Sequence, residues 1–373
     1  MNRSRHLHNA NNVNFKKDLV AIIIVNWNSS GYIEKCLDSV KNQTYPYIEV
    51  IVVDNNSTDG SLEYIMRTLP DVKIIKNSKN VGFSKAHNAG IGLSNGEYIL
   101  PLNFDVFLEP NFIRAMVEVM ESDSSIGTIS GKLYKQINGK KSKIIDSTGI
   151  MMEYCFMRPR GEMEEDIGQY DNSDSFGIFG ACGAAPFYRR SMLKDIRYFD
   201  EFFDEDFVNY VEDVDLSWRA QLRGWRCFYR SNAVCYHERG ATRKSNNRMQ
   251  KDYLIYGFRN RYCSTIKNMP KGYWDKYKFK IIGKELMFLL GHIKGVSYFV
   301  KLKALFLALK MLRKMLTKRK FIQGRKSVSD DYLDFFLRYR DLNFYKAVLT
   351  KMPLSFKSII SRLENTKDNT STS

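Results

Sequence analysis

The stretch LVAIIIVN (residues 19–26) is a nearly unbroken run of β-branched residues, the pattern of a strand buried on both faces. After Ser29 and Ser30, either of which can cap a helix, the apolar period changes. Ile33, Cys36, Leu37 and Val40 fall at i, i+3, i+4 and i+7. The two periods then alternate. YIEVIVVD (47–54) predicts a second strand, residues 55–60 a polar turn, and SLEYIMRTL (61–69) a helix. VKIIK (72–76) predicts a third strand, residues 84–93 a helix and YILPL (98–102) a fourth strand. A β-α-β-α-β-α-β order predicts a parallel sheet with helices on both faces, because right-handed crossovers return each helix over the sheet.

Beyond Pro110 the pattern predicts a helix to about residue 122, a short strand at 126–130 and a hairpin turning at Asn138-Gly139. FGIFGACGAAPFYRR (176–190) is rich in Gly and Ala, which lets backbone approach a ligand or another chain closely. An acidic, aromatic stretch (199–215) leads into a helix through Arg223. Two short strands, WRCFYR and AVCYH, close this half near His237.

From about Gly240 the chain becomes basic, aromatic and helical. Residues 281–316 are apolar but interrupted by Lys284, Lys294, Lys301, Lys303, Lys310, Arg313 and Lys314. No charge-free run reaches the roughly 18 residues of a spanning helix. Leu302, Leu305, Phe306, Leu309, Leu312 and Leu316 form a helical stripe flanked by lysines. That suits a helix lying in a membrane interface, or one packed on the preceding domain. The expected organisation is a disordered tail over 1–18, an α/β domain over 19–242, a basic helical region over 243–364 and a disordered tail over 365–373.

Charge sharpens this division. The formal net charge is +17, yet between Arg239 and Lys326 there are 24 Lys and Arg against three acids, Asp252, Asp275 and Glu285. The remainder is therefore about −4. A basic half beside a near-neutral one implies an anionic partner, nucleic acid or membrane headgroups. The six cysteines form no CxxC and no regular spacing, which fits reduced thiols in a cytosolic compartment better than disulfides or zinc. The first seventeen residues lack the apolar segment of a signal peptide.

In an open parallel sheet, ligands bind at the carboxyl ends of the strands. Those ends carry Asn26 and Asn28, Asp54 and Asn55, Asn80, and Asn103 with Asp105. One acid at a strand end is a turn former; four polar ends in succession indicate a shared site. No GxGxxG and no GxxxxGK[ST] occurs, so the usual dinucleotide and P-loop cradles are missing. In NYVEDVDLSWR (209–219), Asp215 reads as a solvated charge near a helix start. Glu212 and Asp213 follow an aromatic run and could face a pocket, where a desolvated carboxylate could act as a general base. His237 ends a short strand, and with Asp105 and phosphate oxygens it could complete a hard-metal site.

Six segments occur in order: VDNNSTDGS (53–61), NVGFSKAHNAGI (80–91), PLNFD (101–105), GACGAAPFYRRSML (180–193), FDEFFDEDFVNYVEDVDLSWR (199–219) and YHERGAT (236–242). Together they resemble glycosyltransferase family 2, particularly its rhamnosyltransferase-like branch, over about residues 19–242. RNRY (259–262) and the basic helical tail are also similar to that branch. The resemblance implies a GT-A fold: Rossmann-like α/β, with a mostly parallel central sheet, helices on both faces and a basic helical C-terminal region. It also implies inverting transfer from a nucleotide-sugar donor. By similarity, Asp54 would hydrogen-bond a pyrimidine ring and Asn26 would lie in the base pocket, with Asn55 beside them in the donor site. Lys85 and Asn88 would line that site near the ribose and diphosphate. Asp105 is the surviving acid of a DxD-type motif and would bind Mg²⁺ or Mn²⁺ across the phosphates, with His237 able to complete the metal site. Asp213 matches the catalytic base of the ED motif, with Glu212 beside it.

One position departs from the family pattern. Asn103 stands where the family often has Asp, so it offers a donor-contacting amide and no charge to the metal. The expected donor is dTDP-β-L-rhamnose, with UDP-hexose, N-acetylhexosamine and galactofuranose donors as alternatives. The expected acceptor is a cell-surface polysaccharide or lipid-linked glycan. The expected location is cytoplasmic, on the anionic inner face of the cell membrane; oligomeric state is left open, a homo-oligomer included. The rival reading is a basic nucleic-acid-binding protein. It explains the charge, but no nucleic-acid module is recognisable, and the apolar helical spacing of the basic stretch favours a bilayer. No nucleic-acid partner is therefore expected.

Overall fold

A computed structural model describes residues 16–171, 175–240, 247–292 and 296–337. The expected tails, save residues 16–18, and residues 338–364 of the basic region lie outside these. In chain order the first elements are β1 (Lys16–Asn26), α1 (Ile33–Lys41), β2 (Ile48–Asp54), α2 (Ser61–Thr68), β3 (Lys73–Lys76), α3 (Phe83–Leu93) and β4 (Gly96–Leu102). Then follow β5 (Val106–Leu108), α4 (Phe112–Ser122), β6 (Ile126–Ile137), β7 (Lys140–Ser147), β8 (Ile150–Glu153), β9 (Phe156–Pro159), β10 (Ser175–Phe176) and β11 (Phe187–Arg189). The domain closes with α5 (Arg190–Ile196), α6 (Glu212–Leu222) and β12 (Arg226–His237). Five helices follow: α7 (Asn247–Asn268), α8 (Lys271–Leu290), α9 (Tyr298–Lys310), α10 (Leu312–Gly324) and α11 (Asp330–Leu337).

The main sheet runs β10-β12-β6-β11-β4-β1-β2-β3, with β5 added on β12 and β7 on β6. β3, β2, β1 and β4 are parallel, and β11 lies antiparallel between β4 and β6. The β1 run is mostly β-branched because its residues serve two cores in alternation. Val20, Ile22 and Ile24 pack into one with α1 and α4, and Ala21 and Ile23 into the other with α3 and α5. Each buried Val or Ile among them contributes about 1.5–3 kcal/mol of transfer free energy. The β6–β7 hairpin turns at Asn138 and Gly139, both with positive φ (50° and 75°), as a two-residue hairpin turn requires.

Four local expectations change. The two short strands before His237 are one strand, β12, with a register shift between Tyr229 and Val234. The strand expected at 126–130 continues to Ile137 because it pairs with β7 and β12. Neither Ser29 nor Ser30 caps α1; the Ser29 hydroxyl donates to Asn26 Oδ1 instead. Asp215 is fully buried, not solvated: it accepts from Arg219 (3.0 Å) and Asn268 (2.6 Å) and pairs with Lys267 (2.9 Å).

That last contact belongs to the seam joining the basic helices to the α/β domain. Lys267 of α7 and Lys318 of α10 are buried and both pair with the buried Asp204. Trp218 and Leu222 of α6 share a core with Tyr273, Tyr277 and Ile281 of α8 and Leu333 of α11. Lys301 is buried as well, donating to the Phe288 and Gly291 carbonyls at the end of α8. Part of the positive charge counted along the sequence is thus consumed inside the protein. Among the described residues, no helix is long and apolar enough to cross a membrane.

Candidate active site

The register of β1 against β2 sets Asn26 beside Asp54 at the carboxyl edge of the sheet. Asn26 Nδ2 donates to Asp54 Oδ1 (2.8 Å) and reaches the hydroxyls of Ser57 and Ser61 (both 3.0 Å). Asp54 also accepts the Ser57 N–H (3.1 Å), which folds the 55–60 turn back over the strand end. Asn55 is buried and works on the next loop. It accepts from Asn77 (2.9 Å) and donates toward Asn80 and the Gly82 carbonyl (both 3.3 Å). Lys85 is exposed on α3. Asn88, one turn further, is a clamp: its amide exchanges two 2.8 Å hydrogen bonds with the Phe203 backbone.

After β4 the chain turns through Asn103 and Asp105. The Asn103 N–H donates to the Ala184 carbonyl (3.0 Å), which ties this turn to the Gly/Ala-rich segment. Asp105 is buried, and its Oδ1 lies 3.5 Å from His237 Nε2 because β5 pairs with the end of β12. On the other ring face, His237 Nδ1–H donates to Asp146 Oδ2 (2.9 Å). Burial pushes the imidazole pKa down, but the bonds and charges of Asp105 and Asp146 prevail and raise it to about 9. Among the described residues no set of three or more His, Cys, Asp or Glu is arranged to hold a metal ion by itself. A divalent ion here would have Asp105 and His237 as its protein ligands and would take its other oxygens from a diphosphate. One carboxylate and one imidazole, 3.5 Å apart, fit such a shared site, the carboxylate as the hard donor and the imidazole as a borderline one.

Asp213 opens α6 on the other side of the same Gly/Ala segment. Its Oδ2 accepts the Gly183 N–H (2.7 Å) and its Oδ1 the Val214 N–H (2.8 Å). A Cβ on Gly183 would lie 3.1 Å from Asp213 Oδ2, and one on Gly180 only 2.0 Å from Ser217 Oγ. The small residues of this segment therefore admit α6 at close range. Gly183 touches Asp213 and Ala184 touches Asn103, so one dipeptide separates the base candidate from the strand-four turn. Burial raises the pKa of Asp213 against the lowering effect of its backbone N–H partners. Glu212 is raised further, by burial and then by Asp213, and its Oε2 has no hydrogen-bond partner.

The backbone leading into this pair is strained. Val208, Tyr210 and Val211 have φ of 64°, 71° and 69°, a region that costs a β-branched or bulky residue about 1–3 kcal/mol each. Asn260, wholly buried in α7, holds the loop. Its Nδ2 reaches the carbonyls of Phe207 (2.9 Å), Asn209 (2.8 Å) and Tyr210 (2.8 Å). Arg259 adds donations to the Asp206 (2.9 Å) and Phe207 (3.1 Å) carbonyls. In the sequence, the adjacent guanidinium and amide of RNRY (259–262) are the only local sign of this role.

The parallel strands, the antiparallel insertion at β11 and the polar carboxyl edge facing a helix that opens on two acids define a GT-A fold. Residues 21–197 match the family model described as glycosyl transferase family 2. Asp213 and His237 lie beyond the matched residues. A relative from Haemophilus influenzae, described as an uncharacterized glycosyltransferase, is 34% identical over 132 residues, 35% of this chain and 41% of its own. The poly-beta-1,6-N-acetyl-D-glucosamine synthase of Staphylococcus epidermidis is 25% identical over 221 residues, 58% of this chain and 49% of its own. The chain thus spans less than half the length of these two curated relatives. Among solved structures, S. aureus TarS 1-349 aligns at 16% identity and a TM-score of 0.48, over 82% of this chain and 90% of its own. The mannosyltransferase PcManGT of Pyrobaculum calidifontis, solved with GDP-Man and Mn2+, aligns at 16% and 0.48 over 85% of each chain.

Proposed function

We propose that this protein is an inverting glycosyltransferase that moves a sugar from a nucleoside-diphosphate donor to a hydroxyl of a surface polysaccharide or lipid-linked glycan. The observation that carries this reading is the dipeptide Gly183-Ala184. Its Gly183 N–H donates to the buried Asp213 carboxylate and its Ala184 carbonyl accepts from Asn103, in the turn that carries Asp105 beside His237. In this reading the nucleoside end of the donor lies over Asn26 and Asp54, with Lys85 near the diphosphate. Asn103 contributes its side-chain amide to the ribose or phosphate. Mg²⁺ or Mn²⁺ between Asp105, His237 and the diphosphate would neutralise the charge left on the departing nucleotide. Asp213 takes the proton from the acceptor hydroxyl as that oxygen attacks the anomeric carbon opposite the leaving group, which inverts it. Its raised pKa makes it a stronger base than an exposed aspartate. Glu212 beside it is pushed up as well, by burial and then by the charge of Asp213.

The motif resemblance supports dTDP-β-L-rhamnose as donor, with UDP-sugars as alternatives. An anionic membrane surface as partner is supported by the outer face of α9, where Phe299 is 71%, Leu302 60% and Phe306 56% exposed. Lys303 and Lys310 flank these residues, and neither α9 nor α10 contains an acid.

Assay of a nucleotide-sugar panel with Mn²⁺ tests the proposal. Asp213→Asn should lower kcat by about 10²–10⁴-fold while leaving donor affinity within a few-fold. Wild-type turnover in that variant would remove Asp213 from the mechanism.

A further inference from the structure

Asp146 was not among the candidates read from the sequence, and no relative's description assigns it a role. It is completely buried on β7, yet it occupies the rear of the metal corner. Its Oδ2 accepts the His237 Nδ1–H at 2.9 Å, and its Oδ1 lies 2.5 Å from Arg239 Nε. Arg239 in turn reaches Glu162 at 3.8 Å. The imidazole is consequently held by its Nδ1, and Nε2 is the nitrogen that faces Asp105.

We infer that Asp146 is the positioning residue that makes His237 a ligand for a divalent cation. Three physical points support this. A histidine ligand needs one nitrogen free for the ion, and a hydrogen bond to the other nitrogen decides which one that is. A carboxylate acceptor also raises the electron-donating power of the ring. Finally, a buried carboxylate needs compensation, which Arg239 supplies from the side away from His237. The pair Asp146–Arg239 is therefore an oriented, neutralised support, and His237 is its working end. This inference rests on the proposed metal-assisted transfer and adds a residue to it.

The test uses the full chain with Mn²⁺ and a nucleoside diphosphate, followed by water-proton relaxation for affinity and by pulsed EPR for nitrogen coupling to the bound ion. Wild type should show coupling to one imidazole nitrogen. Asp146→Asn should weaken Mn²⁺ binding by about 10–100-fold and diminish that coupling, the usual cost of losing an outer partner of a ligand. Arg239→Gln, which leaves the Asp146–His237 bond in place, should hold Mn²⁺ affinity within about three-fold, separating positioning from collapse of the cluster. Melting temperatures of both variants report whether each is folded. Equal affinity and equal nitrogen coupling in Asp146→Asn overturn the inference. So does a wild-type ion without nitrogen coupling, which needs no variant to fold. Absence of any Mn²⁺ binding by wild type overturns the metal assignment itself and the inference with it.

Discussion

Replacing Lys318 by Met tests whether the basic helices are clamped to the catalytic domain by buried charge. Lys318 Nζ lies 2.6 Å from Asp204, 2.8 Å from Asp206 and 3.4 Å from Glu201, with its side chain only 3% exposed. Breaking a buried pair by removing one partner costs about 3–5 kcal/mol. Here Asp204 keeps Lys267 and Asp206 keeps Lys314 at 2.5 Å, so the lower end, about 3 kcal/mol, is expected. An unfolding entropy of about 2.1 cal/mol/K per residue over roughly 300 residues gives about 0.6 kcal/mol/K, hence a fall in Tm of about 5 °C. The assay is thermal unfolding of Lys318→Met, Asp204→Asn and the double variant. Coupling between the sites should make the double variant more stable than the sum of the single losses.

Acid adds an independent reading of the same seam. Burial works to raise Asp204, but Lys267 and Lys318 prevail and hold its pKa well below the ordinary carboxylate value. A depressed folded pKa contributes stability that is present above about pH 3.9 and is lost as pH falls toward the folded value. Lys318→Met weakens that depression, so its acid unfolding should begin at higher pH than wild type. A Tm within 1 °C of wild type, with an unchanged acid midpoint, would refute the clamp.

Three further outcomes follow from the site and its surroundings. Asn260→Ala frees the carbonyls that hold the strained 207–210 loop, and kcat should fall about 10–100-fold through displacement of Asp213, with a smaller change in donor affinity. In the pH profile of wild-type kcat, the acid limb should stand above the ordinary carboxylate range of about 3.9, because the base must be ionised and its folded pKa is raised; Asp213→Asn should erase that limb. For the membrane partner, Phe299→Ser with Phe306→Ser should abolish flotation with vesicles containing anionic phospholipid. Binding to DNA without vesicle flotation would reverse the choice of partner.

The parallel half of the sheet was legible along the chain because its information is local. The two-sided burial of β1 demands β-branched residues at consecutive positions, and the carboxyl-edge rule then picks out Asn26, Asp54 and Asp105 without coordinates. The Gly/Ala run likewise announced a close approach, though not that α6 is what approaches. Asp215 shows where local reading stops. An acid near a helix start is the pattern of a solvated cap, and only the arrival of Lys267 and Asn268 makes it a buried ion-pair partner.

The supports of the site are invisible in the sequence for the same reason. Asp146 meets His237 across 91 residues, and Asn260 meets Phe207 across 53. Neither residue has a spacing that could reveal its partner, since each bond spans segments brought together only by packing. What the sequence by itself determined was the order of strands and helices, the polar strand ends and the acidic pair, all functions of near neighbours. Which nitrogen of His237 faces Asp105, what holds the strained loop before Asp213, and how many lysines of the basic half remain for an outside partner were decided by tertiary structure. Those properties depend on burial and on charges meeting across the fold, and neither is a property of any short stretch.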